Sequence, residues 1–186
     1  GGIRLMAWCS MTEEAYLDFL LEDAKSSIET LGSENIACFI AEPIQGAGGV
    51  IVPPEGYHTK MGELCKEYDI KYVTDEVVTA FGRLGHFFAS KDVFGVQPDI
   101  ITTAKGLTSG YQPLSATIIS DEIHEVISGE GAMFLHGMTY SGHPAASAAA
   151  LANIALMEEE GIPQRGQVTG KRFEKNLHKL AGLELV

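Results

Sequence analysis

Short apolar runs alternate with longer amphipathic segments along the 186-residue chain, and this alternation limits the possible folds more than any other feature. The runs predicted to be strands are 36–41, 70–74, 100–103 and 114–120. The segments predicted to be helices are 12–31, 57–68, 121–128, 144–160 and 164–180. Such alternation predicts an α/β fold in which helices cover both faces of a sheet.

The first predicted helix has recognisable ends. Thr12 can cap its start, and Ser10 with Glu13 offers a second possible start as a capping box. Gly32 ends it. Its apolar side chains recur at helical spacing and fall on one face, namely Leu17, Leu20, Leu21, Ala24, Ile28 and Leu31.

The predicted sheet is mixed. The run 36–41 is apolar throughout, which is typical of a strand buried on both faces, and Cys38 within it is expected in the core. Only ten residues, 104–113, connect the last two strands, whereas a parallel crossover needs about a dozen or more. If these two strands pair, they are therefore antiparallel, while the other strands run parallel. The final residues, 183–186, are predicted to begin a further strand.

The composition excludes several functions. Lys and Arg number 13 against 25 Asp and Glu, for a net charge of −12, and nucleic acids and anionic membranes require the opposite balance. No apolar run approaches the roughly 18 residues that cross a bilayer, and the start of the chain lacks a signal-peptide layout. The three cysteines fit no zinc pattern, so no metal is predicted and a reducing, cytoplasmic setting is expected.

Polar residues follow two of the predicted strands. Ligands of α/β sheets bind at the carboxyl ends of the strands, and these ends carry Asp-Glu at 75–76 and Ala-Lys-Gly at 104–106. The small neighbours of Lys105 leave space for a cramped, partly desolvated amine, which is the form that attacks an aldehyde. A solvated lysine in a turn is the alternative.

The adjacent acids can serve different purposes. Neighbouring side chains in extended chain point to opposite faces, so only one of Asp75 and Glu76 is expected to reach a given ligand. An aspartate buried near a pyridine nitrogen keeps that nitrogen protonated, and the ring then accepts electrons from a substrate bond. The alternative is a helix-capping or metal-type pair, although no histidine lies close enough in sequence for a metal motif.

Two loops invite a phosphate-binding interpretation. The glycine-rich stretch 45–49 contains neither Gly-Lys-Ser/Thr nor Gly-x-Gly-x-x-Gly, which disfavours a nucleotide loop and favours a tight loop close to a cofactor. The stretch 136–144 places hydroxyl groups before a helix that begins at Pro144, an arrangement that suits an anion. An ordinary capped loop explains this second stretch equally well.

Four segments together resemble the class III pyridoxal-phosphate (PLP) aminotransferases of the omega-transaminase kind. Their order and spacing match as well, with 33 residues from Glu42 to Asp75 and 30 from Asp75 to Lys105. The likeness covers about residues 11–180. The segments are AEPIQGAGG at 41–49, DEVVTAFGRLG at 75–85, PDIITTAKGL at 98–107 and TYSGHP at 139–144.

The resemblance implies the large-domain core of PLP-transferase fold type I, with pyridoxal 5'-phosphate as cofactor. Lys105 then forms a Schiff base with PLP and moves the substrate proton. Asp75 corresponds to the acid on the pyridine nitrogen, Val77 to the apolar residue on one ring face, and Glu42 to the acid that supports the site. Thr139 corresponds to the hydroxyl that binds the cofactor phosphate of the partner subunit, in a homodimer or higher oligomer.

One departure from the family pattern bears on the substrate. Ala47 stands where ornithine- and aminobutyrate-type relatives carry a glutamate. Its absence, with the Ser-Gly-His-Pro stretch, implies transfer of an amino group from an amine or omega-amino acid to a keto acid such as pyruvate.

The resemblance also implies that the chain is partial. Residues 1–10 are expected to be a non-family segment or a cloning scar, and 11–186 to be part of the PLP-binding large domain, without the N-terminal phosphate cup and the C-terminal small domain. Two other functions therefore stand beside transamination. One is a truncated, inactive fragment that self-associates through exposed apolar surface, and the other is a different PLP reaction, such as that of a mutase or decarboxylase.

Overall fold

The computed structural model describes residues 11–183, which form ten helices and strands joined by loops and short 3₁₀ turns. The predicted segment 1–10, the Ser10 cap and most of the predicted final strand lie outside the described residues. The helices are α1 (Glu13–Leu31), α2 (Tyr57–Glu67), α3 (Ala89–Asp92), α4 (Asp121–Ile127), α5 (Pro144–Glu159) and α6 (Ile162–Leu177). The strands are β1 (Cys38–Ala41), β2 (Lys71–Asp75), β3 (Ile100–Thr103) and β4 (Ala116–Ile119).

The four strands form one sheet in the order β1-β2-β3-β4. β1, β2 and β3 are parallel, and β4 is antiparallel to β3. The mixed sheet is thus confirmed, including the antiparallel strand that the ten-residue connection predicts. Within 11–183, no helix has the length and apolar character that crossing a bilayer demands.

The main core lies between the sheet and the helix pair α1 and α2. Met61 and Cys65 of α2 pack with Tyr72 of β2 and Ile28 of α1. α1 begins and ends where the sequence predicts. The Thr12 side chain caps its start by accepting a hydrogen bond from the Ala15 amide at 3.2 Å, and Gly32, with φ of 79°, ends it.

The prediction that the first strand is buried on both faces is wrong. Phe39 of β1 faces the core and packs on Tyr72, with ring centroids 5.4 Å apart. On the opposite face Cys38 is exposed, and Ile40 keeps 59% of its surface accessible. β1 lies at an edge of the described sheet. A fully apolar sequence does not by itself show whether a strand is covered on one face or on both.

The two described cysteines are expected to differ sharply in reactivity. Cys38 is exposed, whereas Cys65 is 1% exposed and burial raises its pKa from 9.0 to about 11. Because the thiolate is the nucleophile, its population in Cys65 near pH 8 is roughly a hundredfold lower than in a free thiol. In a Cys9→Ser background, a disulfide reagent should modify one thiol quickly and the second only on unfolding, and Cys38→Ser should remove the fast phase. Fast modification in that double variant contradicts the assignment.

Candidate active site

The sheet brings the two predicted site segments to one edge. Asp75 is the last residue of β2 and pairs with Thr102 of β3, and Lys105 follows two residues after β3 ends. Because β2 and β3 are parallel, both strands end at the same edge, and the expectation of a carboxyl-edge site agrees with the fold.

The Asp75 carboxylate is fixed by the chain that follows it. Its Oδ1 accepts a hydrogen bond from the Val77 amide at 3.0 Å, and the side chain is half-buried. A carboxylate has lone pairs on both oxygens, so Oδ2 can accept a further donor. The Asp75 carboxylate is therefore held in a fixed orientation at the strand end, and it can accept a further hydrogen bond.

Lys105 begins a single 3₁₀ turn, Lys105–Leu107, with the uncommon backbone angle φ of 40°. Its side chain is exposed, so the cramped, desolvated amine expected from its small neighbours is wrong for the described chain. The reason lies at Gly106, where an added Cβ would stand 2.7 Å from the Cβ of Phe81. The small residue makes room for Phe81 rather than enclosing the lysine.

A pocket beside this turn joins Lys105 to the segment after Asp75. It is lined by Val77, Phe81 and Lys105, and by Ile162 and Gly166 of α6. The apolar Val77 and the amine-bearing Lys105 thus line the same pocket, and their roles toward PLP stay predictions.

Glu42 supports a neighbouring loop. Its Oε2 accepts a hydrogen bond from the Gly46 amide at 2.9 Å, which closes the turn after β1. An added Cβ at Gly46 would stand 3.2 Å from Val78, so this turn lies against the residue next to Val77. Glu42 therefore shapes a loop that contacts the site segment.

Thr139 stands apart from these residues. It is exposed in the turn 138–143, where the Ser141 hydroxyl accepts a hydrogen bond from the Met138 amide at 3.0 Å. The pocket that Val77 and Lys105 line does not include it. Its role toward a partner subunit stays a prediction.

Glu76 lies next to the candidate site, and its role cannot be decided from the sequence. It is fully buried, and its two carboxylate oxygens accept hydrogen bonds from the Thr79 hydroxyl, the Ala89 and Ser90 amides and the Ser90 hydroxyl. Glu76 directly follows β2, and its buried side chain contrasts with the half-buried Asp75, in line with the expectation that the two acids point to opposite faces. Its helix-capping role at α3 ties the loop after Asp75 to the body of the fold, and the adjacency of two acids at a strand end is the only signal for it.

A buried histidine links β2 to the Glu42 loop. His58 is 2% exposed, with Nε2 3.0 Å from the Pro43 carbonyl oxygen and Nδ1 2.7 Å from the Tyr72 hydroxyl. A carbonyl only accepts, so Nε2 donates to Pro43 and Nδ1 accepts from Tyr72. Burial, the largest influence, lowers the pKa of His58 below 6.5 despite the Pro43 carbonyl and the Glu76 charge, which both raise it.

Acidification is expected to destabilise the chain through His58. An unfolded histidine takes up a proton as the pH falls through about 6.5. The folded His58 stays neutral to lower pH, so the unfolded state binds more protons below that value and the free energy of unfolding decreases. Well above pH 6.5, His58 is neutral in both the folded and the unfolded state, so its titration no longer lowers the free energy of unfolding.

Urea unfolding at a series of pH values around 6.5 measures this contribution. His58→Gln should show a shallower loss of stability on acidification than the unsubstituted chain. His178→Gln, at a histidine whose side chain is 77% exposed, should keep the original slope. Equal slopes in all three proteins contradict the assignment to His58.

Comparison with known proteins adds an independent line of support. The family model of aminotransferase class-III matches residues 9–184. A putrescine–pyruvate aminotransferase of Pseudomonas aeruginosa is 45% identical over 177 residues, which cover 95% of this chain and 38% of that protein. The mitochondrial gamma-aminobutyrate transaminase 1 of Oryza sativa subsp. japonica is 42% identical over 178 residues, which cover 94% of this chain and 34% of that protein.

Solved structures agree. An (S)-enantioselective omega-transaminase from Thermomicrobium roseum superimposes with a TM-score of 0.87 at 44% identity, covering 92% of this chain and 38% of that one. An amine transaminase from an uncultivated Pseudomonas species, in its PLP-bound form, has a TM-score of 0.87 at 42% identity, covering 94% and 40%.

The fold is thus part of the type I fold of PLP-dependent transaminases. The chain belongs to the class-III aminotransferase family. It spans 38% and 34% of the length of the two curated relatives described above.

Proposed function

We propose that the protein containing this chain transfers amino groups from an amine or omega-amino acid to a keto acid such as pyruvate, with PLP joined to Lys105 as a Schiff base. The observation that carries this proposal is the strand edge to which the parallel β2 and β3 bring Asp75 and Lys105, where Val77 and Lys105 line one pocket, in a chain of the class-III aminotransferase family. Residues 11–186 are proposed to be part of the PLP-binding large domain.

The residues at this edge fit PLP chemically. The Lys105 amine is exposed and can reach an aldehyde, and the half-buried Asp75 carboxylate has an oxygen available for a pyridine N–H. Val77 offers an apolar surface to an aromatic ring beside the lysine. When bound, PLP withdraws electrons from the bond that breaks at the substrate carbon.

The proposal assigns a role to each of four residues of this chain. The amine of Lys105 would carry the proton at the reacting carbon. Asp75 holds the proton on the pyridine nitrogen, and Val77 keeps the ring against the lysine. Glu42 keeps the loop beside Val78 in place through its bond to the Gly46 amide.

The proposed substrates and assembly follow the relatives. The match to an enzyme named for putrescine and pyruvate supports an omega-amine donor and pyruvate, and the match to a gamma-aminobutyrate transaminase supports an omega-amino acid donor. Thr139, exposed in its turn, is proposed to bind the cofactor phosphate of the partner in a homodimer. A cytoplasmic setting is part of the same proposal.

A second candidate function is an inactive fragment that self-associates. It is favoured by apolar side chains left exposed on α5 and α6, where Leu151, Val168 and Phe173 keep 71%, 73% and 63% of their surfaces accessible. Exposed apolar side chains favour association where they form a continuous patch. Measurable turnover of an amine with pyruvate by the 186-residue chain alone contradicts this second function.

Product analysis tests the first proposal. The full natural protein, supplied with PLP, pyruvate and either putrescine or 4-aminobutyrate, should form alanine and the matching aldehyde in equal amounts. A mutase would return a rearranged amine, and a decarboxylase would release carbon dioxide. No alanine with either donor, or one of these other products, contradicts the transaminase proposal.

A further inference from the structure

The turn that carries Lys105 has an unfavourable backbone. Lys105 and Ser109 both have positive φ, 40° and 51°, although neither is glycine. Within the turn the Leu107 amide donates to the Ala104 carbonyl at 2.9 Å, and the longer bonds from Thr108 and Ser109 are 3.3 and 3.2 Å. Such a conformation persists only where its surroundings hold it in place.

One side chain from outside the turn supplies that restraint. Asn153 of α5 donates through Nδ2 to the Gly106 carbonyl at 2.9 Å and to the Leu107 carbonyl at 3.1 Å. Its Oδ1 accepts from the Ser109 hydroxyl at 2.7 Å. Both N–H donors and the acceptor of the carboxamide are thus engaged by the residues that follow Lys105.

Helix formation does not explain this asparagine. Asparagine is a poor helix residue, because its side chain competes for backbone hydrogen bonds. In an otherwise alanine-rich helix, Asn153 points its amide at a backbone segment 46 and 47 residues earlier in the chain. The residue therefore connects α5 to the Lys105 turn at the cost of local helix propensity.

We propose that Asn153 is a positioning residue that fixes the direction of the Lys105 amine by clamping the turn behind it. This inference rests on the proposed function, since it matters for catalysis only if Lys105 bonds PLP. A freed turn lets the amine sample other directions, and only a fraction of those meets the aldehyde. Misplacement of reacting groups by about 1 Å is enough to lower rates by roughly a hundredfold.

The test separates positioning from a general structural role. In the full natural protein, dialysis measures how much PLP is bound, and borohydride with peptide mass analysis measures the fraction of bound PLP linked to Lys105. Asn153→Leu removes every hydrogen bond of the amide and improves helix propensity, so α5 itself is not weakened. Ser109→Ala is the matched control, because it removes the bond to Oδ1 and leaves both carbonyl bonds.

The linked fraction should fall at least about threefold in Asn153→Leu and stay unchanged in Ser109→Ala. If Asn153→Leu does not fold, Asn153→Asp keeps the shape and the Oδ1 acceptor, lacks the Nδ2 donors, and should show the same fall. Lower PLP binding or a lower melting temperature with an unchanged linked fraction overturns the inference. An unsubstituted protein that yields no PLP on Lys105 instead overturns the proposed function.

Discussion

Replacing Lys105 by alanine is expected to lower the rate of amino transfer from amine to pyruvate by about a thousandfold or more in the full natural protein. In the proposed function the side chain supplies both the covalent link to PLP and the proton carrier at the substrate carbon, and proton transfer alone contributes about 10²- to 10⁴-fold. Steady-state assays of alanine formation at saturating PLP measure the change.

A second variant separates the role of Lys105 as a nucleophile from its positive charge, and a third serves as a control. Lys105→Arg keeps the positive charge, but a guanidinium stays protonated and cannot replace the amine, so its rate should fall as far as that of Lys105→Ala. Lys175→Ala, at an exposed lysine in the last turn of α6, should stay within about twofold of the original rate, as surface substitutions usually do. A Lys105→Ala protein that keeps a tenth or more of the activity contradicts the assigned role.

Replacing Glu76 by alanine is expected to lower the free energy of unfolding by about 3–5 kcal/mol. The substitution leaves the Ala89 and Ser90 amides and the Thr79 hydroxyl without their acceptor. A buried donor without a partner costs about 1–3 kcal/mol, and several are created together. Removing a buried charge recovers some desolvation energy, which is why the expected loss is smaller than the sum of the donors.

Urea unfolding of the chain measures this loss. Glu76→Gln keeps the shape and one oxygen, but it turns an NH₂ group toward donors, so its loss should lie between that of Glu76→Ala and zero. Glu125→Ala, at an exposed glutamate in α4, is the control and should change stability by less than about 0.5 kcal/mol. A loss below 1 kcal/mol for Glu76→Ala contradicts the role given to its hydrogen bonds.

Much of the fold follows from local rules. The connection 104–113 is too short for a parallel crossover, and the antiparallel β4 results. Strand and helix ends deviate by one to three residues, as at β2, which extends to Asp75 itself. The edge that joins Asp75 to Lys105 follows from the parallel pairing of their strands. These features depend on spacing and chain geometry, which the sequence contains.

Other features depend on partners distant in sequence. Glu76 meets its amide donors 13 and 14 residues later, and Asn153 meets the Lys105 turn 46 and 47 residues earlier. No local pattern announces either contact. Cys38 is exposed because its face of β1 is left uncovered within the described residues, a fact of long-range packing that an apolar run does not encode. Long-range contacts therefore set the limit of prediction from this sequence.

The most direct test of the central claim is to identify the lysine that PLP modifies. The full natural protein is mixed with PLP, reduced with borohydride and digested, and the modified peptides are located by mass spectrometry. The account predicts one dominant phosphopyridoxyl group, on Lys105, absent from the Lys105→Ala variant. Modification spread over exposed lysines such as Lys60 and Lys91, with Lys105 left free, would contradict it.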